Sequence, residues 1–105
     1  MSLENLQQYS ASTRELVLPL PLALEAIALM EQLKIPVFGW EGWIRLPGGR
    51  LGHSALHQGT AFECAITTSS EYTWLKQTIQ ESYDLHQSPP EAPSIELLFC
   101  ITTGA

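Results

Sequence analysis

Apolar residues Leu22, Ala26, Leu29 and Leu33 recur at helical spacing, with Ala23, Ile27 and Met30 beside them. Glu25, Glu31 and Gln32 take the opposite side, so the stretch predicts an amphipathic helix. Pro21 suits its first turn, where a missing N–H goes unneeded. Pro36 disfavours helical backbone at the residue before it, which ends the helix near Lys34–Ile35. A second helix is announced by Thr68-Ser69-Ser70-Glu71, a capping box in which Thr68 accepts from a backbone N–H and Glu71 reaches back. Tyr72, Leu75, Ile79, Tyr83 and His86 then share one helical face.

The remaining apolar segments read as strands. Arg14–Leu18 is a short one, ended by Pro19. Val37–Leu46 alternates: Phe38, Trp40, Ile44 and Leu46 point one way and Val37, Glu41, Trp43 and Arg45 the other. Gly39 and Gly42 interrupt this strand and suggest a bulge or the close approach of another backbone. Pro47-Gly48-Gly49 turns the chain, Arg50–Gln58 returns, and Thr60–Ile66 makes a further strand with Phe62, Cys64 and Ile66 on one face. Ser94–Thr103 is apolar on both faces, which predicts a strand inside the sheet. Residues 1–13 are polar without a period and are expected to be poorly ordered. The sum is one α+β domain in the order β-α-β-β-β-α-β. Its single-layer antiparallel or mixed sheet of four to five strands carries both helices on one face.

Charge narrows the partners. The net charge is −6 and the whole chain has only five lysines and arginines, too few to displace counterions from nucleic acid or to hold an anionic membrane surface. A basic protein partner is compatible with it. The longest apolar stretch, Leu16–Met30, is broken by Pro19, Pro21 and Glu25 and does not read as a membrane span. The first residues lack a cationic start and an apolar run, so no signal peptide is expected. Cys64 and Cys100 are then expected to stay thiols in a cytoplasmic setting.

His53-x-x-x-His57, with Cys64 and Cys100 elsewhere, uses zinc-ligand residue types. On a strand, residues four apart are separated by about 13 Å of rise, too far for one ion, so no metal site is expected. A cysteine nucleophile at Cys64 would need an exposed, thiolate-promoting setting, whereas its strand neighbours are apolar. G-x-S-x-G, a phosphate loop and a His-Glu helix pair are all absent, so no catalytic centre or cofactor is expected.

The hairpin carries the chemistry that remains. A two-residue Gly48-Gly49 turn sets Ile44 opposite His53 and Trp40 opposite His57. A three-residue Gly48–Arg50 turn sets Arg45 opposite His53 and Glu41 opposite His57, with Trp43 between them. The second register builds a binding surface from Glu41, Trp43, Arg45, His53 and His57, a tryptophan ringed by charges in the manner of interface anchors. The plainer reading is a core tryptophan beside a solvated ion pair. A different functional reading is a small-molecule or catalytic pocket around Trp40, His53, His57 and Glu63.

The segment ALEAIALMEQL followed by IPVFGWEGW and a glycine turn resembles the immunity proteins of bacterial polymorphic toxin systems, specifically the immunity protein 40 family. Ile35, Pro36, Val37, Phe38, Gly39 and Glu41 carry the resemblance, and the order of later elements extends it from Leu16 to the C-terminus. Trp40 stands where the family has a second glycine, and Gly52-His53-Ser54 stands where it has Asp-Asn-Trp. The resemblance implies a cytoplasmic, non-catalytic inhibitor that binds and blocks a toxin.

Overall fold

A computed structural model of the chain describes residues 2–46, 48–54, 61–66, 68–87 and 95–104, with backbone alone for 61–65. The elements follow the order α1 (Leu3–Gln7), β1 (Leu16–Leu18), α2 (Leu20–Gln32), β2 (Val37–Arg45), β3 (Leu51–His53), β4 (Ala61–Ile66), α3 (Ser69–Gln87) and β5 (Glu96–Thr103). This is the expected α+β order with one addition. Residues 1–13, where the polar pattern predicts no element, contain α1. Ser2 caps it, accepting from the Asn5 N–H at 3.2 Å, and Leu6 is fully buried in the core. Leu3 and Leu6 are the only residues of α1 that meet the core, too few to give a period to read, which is why the sequence pattern misses this helix.

All strand pairs are antiparallel, in the order β1-β5-β2-β3, and β4 also pairs with β2. The last strand is inside the sheet, as its two-sided apolar pattern requires. Leu97, Phe99 and Ile101 point to one side and meet Ala23, Ala26, Ile27 and Met30 of α2 and Tyr72, Leu75 and Ile79 of α3. Both long helices therefore cover the same face. The helix α2 buries Ala23, Ala26, Ile27 and Met30 of the expected apolar set, while Leu33, which caps the end of the helix, is exposed. On the other face Val17, Leu98 and Cys100 form a small second cluster, covered by Ala11 and Trp43.

Trp40 is the aromatic centre of the main core. It is 5% exposed and meets Phe99 edge-on at 5.3 Å, and its Nε1 donates to Thr78 Oγ1 at 3.0 Å. The strand β2 bulges at Gly39, whose φ is +149°: Val37 pairs with Thr103 and Gly39 with Thr102, leaving Phe38 as the extra residue. The alternation is reset there. Phe38, expected on the same face as Trp40, is 37% exposed, and Val37, expected on the opposite face, is fully buried. Period-two reasoning fails across an inserted residue.

Two helix ends explain how the layers are joined. The helix α2 closes in a Schellman turn: Lys34 N–H donates to Glu31 O at 3.2 Å and Ile35 N–H to Met30 O at 2.8 Å. Lys34 occupies the left-handed position of that turn, with φ +58°. The helix α3 opens with the expected capping box. Glu71 N–H donates to Thr68 Oγ1 at 3.3 Å, and Thr68 N–H donates to Glu71 Oε1 at 3.2 Å. Tyr72 Oη donates to the Ile35 carbonyl, and Ser69 Oγ donates to Glu31 Oε2 at 2.7 Å, tying α3 to the end of α2.

Two measurements check these ends. Thr68→Ala removes the cap acceptor and should lower unfolding stability by about 1 kcal/mol in chemical denaturation. An unchanged midpoint with a shifted one for Ser69→Ala would assign the cap to Ser69. Lys34→Gly relieves a left-handed backbone that disfavours any side chain, and should raise stability by about 0.5–1 kcal/mol. A loss of stability there would mean that the lysine side chain, not the turn, dominates at this position.

Candidate functional site

The chain turns between Leu46 and Arg50. Leu46 N–H donates to Arg50 O at 2.8 Å and Gly49 N–H to Leu46 O at 2.9 Å, with φ of +96° at Gly48 and +90° at Gly49. Two successive left-handed residues are open to glycine alone without strain. The turn thereby starts one residue earlier than either expected register allows. Trp43 pairs with His53, Ile44 with Gly52 and Arg45 with Leu51. The pairing of Arg45 with His53 is therefore corrected, as is that of Ile44 with His53. His57 lies outside the described residues.

The corrected register still gathers four of the five expected residues on the face that carries no helix. His53 stands directly across from Trp43, with ring centroids 4.9 Å apart and planes tilted by 56°. Glu41 is two residues along β2 on the same face. Its Oε1 accepts from Trp43 Nε1 at 3.0 Å and lies 3.4 Å from His53 Nδ1. Arg45 turns to the other neighbour strand, where its Nε sits 3.1 Å from Glu96 Oε1. All four charged or imidazole groups are substantially exposed, so these pairs orient side chains more than they stabilise the fold. Trp43 is half-buried: its body packs on Leu98 and Cys100 while its N–H is held at the surface by Glu41.

Sequence reasoning misses four further residues of this face. The bulge turns Phe38 out of the core layer, and Gly39 is the only signal for it. Leu51, 38% exposed, pairs with Arg45, and Glu96 becomes a member only through β5 lying next to β2. Glu15 joins the face from the residue before β1, two positions from Val17, which pairs with Cys100. Burial first, then the negative fields of Glu15 and Glu41, push that thiol from an ordinary 9.0 up to about 12. Cys100 is thus a buried, protonated side chain and not a nucleophile.

The pocket reading fares differently. Trp40 lies under the helices and His53 lies on the opposite face, so the sheet separates two of its four members. Of Glu63 only the backbone is described. A recess of about 380 Å³ lies instead between the end of α2 and the start of α3, lined by Glu31, Lys34, Ser69 and Tyr72. Glu31 is already engaged there by Ser69 and by Lys76 at 3.9 Å. Burial, followed by Glu31 and Glu71, raises the Tyr72 hydroxyl above its ordinary value, so it acts as a donor to Ile35 rather than as a base. Among the described residues no three His, Cys, Asp or Glu side chains converge as metal ligands would, and no helix is long and apolar enough to cross a membrane.

The state of Cys100 can be read by alkylation in a Cys64→Ser variant. At pH 8 iodoacetamide should modify native Cys100 at least about 100-fold more slowly than the unfolded chain, because the thiolate is the reactive form. The folded-state value lies above the unfolded one. The associated stability is therefore complete below pH 9.0 and is lost as pH rises toward about 12. Equal alkylation rates in the native and unfolded states would refute the buried thiol.

In comparisons with protein-family models, with curated proteins and with solved structures, nothing matches the chain significantly.

Proposed function

We propose that this chain is a non-catalytic protein-binding module, an immunity protein that neutralises a bacterial toxin in the cytoplasm. The observation that carries the reading is the helix-free sheet face. There a half-buried tryptophan is oriented by its own Glu41 and flanked by His53 and the Arg45–Glu96 pair. A rigid, amphipathic aromatic set among charges costs little entropy on binding and is the usual anchor of a protein interface. The resemblance of ALEAIALMEQL and IPVFGWEGW to the immunity protein 40 family supports the toxin as the partner. The unpaired, buried Cys100 fits a reducing compartment.

The two tryptophans give opposite signatures. Trp40→Ala empties a buried site and removes the bond to Thr78, and should destabilise the fold by roughly 3–5 kcal/mol. Trp43→Ala should leave a cooperative thermal melt and weaken partner binding by about 2 kcal/mol, roughly 30-fold. Co-expression with candidate toxin domains reads this as protection of growth. Full protection by Trp43→Ala, at equal protein level, would remove this face from the function.

A further inference from the structure

The helix-free face is not evenly charged. Glu15 and Glu41 lie on either side of β5: Glu15 stands two residues before Val17, which β1 pairs with Cys100, and β2 pairs Glu41 with Cys100 directly. Glu96 lies at the other end of the face, opposite Arg45. Among the described residues three carboxylates thus meet one lysine or arginine, and that one is already turned to Glu96. Trp43 lies between Glu41 and Arg45 along β2, with Phe38 exposed beyond Glu41 and Leu51 exposed across from Arg45.

Resting on the binding role above, we infer that the partner presents a basic protein surface to this face, seating a lysine or arginine side chain between Glu15 and Glu41 and an apolar side chain against Trp43. Electrostatic complementarity argues for it. The chain's charge of −6 steers a cationic partner toward it, and the face supplies local carboxylates where that partner lands. Trp43 beside Glu41 offers a π-face and an anion to one guanidinium. The His53–Glu41 pair is exposed and easily exchanged.

Two other occupants fit less well. A second copy would bring three carboxylates against three with a single arginine on each side. An added strand finds the outer edge of β1 already used: Val17 N–H donates to Ser10 Oγ at 2.8 Å and Val17 O accepts from Ala11 N–H at 2.9 Å.

The probe is the synthetic peptide Arg-Thr-Leu-Thr-Arg-Thr-Leu-Thr-Arg, which in extended form places arginine and leucine alternately on one face. Its glutamate-for-arginine counterpart is the control. Titration followed by ¹⁵N–¹H NMR should move the Trp43 indole N–H and the amides around Glu15 and Glu41. Glu15→Gln with Glu41→Gln should weaken the arginine peptide at least 10-fold. Glu25→Gln with Glu81→Gln, the same charge change on the helix layer, should weaken it less than 3-fold.

Shifts confined to α2 and α3, equal binding of the glutamate peptide, or equal effects of the two double variants would overturn the inference. So would a concentration-dependent dimer, seen by sedimentation and abolished by Trp43→Ala, which would assign the face to a second copy. If the carboxylates prove irrelevant while Trp43→Ala still loses protection, the basic partner falls and the binding face stands. If Trp43→Ala keeps full protection, the face itself falls.

Discussion

The strand β5 is apolar on both sides, and only one side lies beneath helices. Leu97, Phe99 and Ile101 are covered by α2 and α3. Leu98 and Cys100 face the other way, and exposing them would forfeit roughly 25 cal/mol for each Å² of apolar surface. Their cover comes from Val17, from Ala11 of the segment before β1, and from the indole of Trp43. Trp43 is therefore half-buried for a structural reason, and the half left outside becomes the centre of the candidate surface.

The same arrangement orders the polar groups. An indole held against Leu98 and Cys100 presents its N–H at the surface, where Glu41 accepts it. The carboxylate thus held is in reach of His53, because the turn at Gly48 and Gly49 brings β3 back with His53 opposite Trp43. Arg45 finds Glu96 because β5 lies on the other side of β2. Packing fixes the aromatic ring, the ring fixes the carboxylate, and strand order supplies the ionic neighbours. The face is organised before any partner arrives, which lowers the entropy that binding must overcome.

Much of the fold is legible in residues that act locally. Thr68 and Glu71 cap α3 because both groups lie within one turn. The two-sided apolar run of β5 implies an interior strand whatever its neighbours are. Trp40 shares its expected face with the apolar Ile44 and Leu46, and it lies in the core. The candidate surface is legible only in part: the face shared by Glu41, Trp43 and Arg45 follows from alternation, and it survives because the bulge lies before Glu41 and not after it.

By itself the sequence determined the class of domain, the helices α2 and α3 with the capping box of α3, the central position of β5, and the shared face of Glu41, Trp43 and Arg45. Each of these follows from periodicity or from contacts within a few residues. Tertiary structure alone decided the hairpin register, the exposure of Phe38, the fit of Leu6 into the core, and the arrival of Glu15 and Glu96 beside β2. These depend on backbone at Gly39, Gly48 and Gly49 that can take φ of either sign, so no local pattern selects among the alternatives. They depend also on which strands become neighbours, and that is set by the burial of both faces of β5 over contacts distant in the chain.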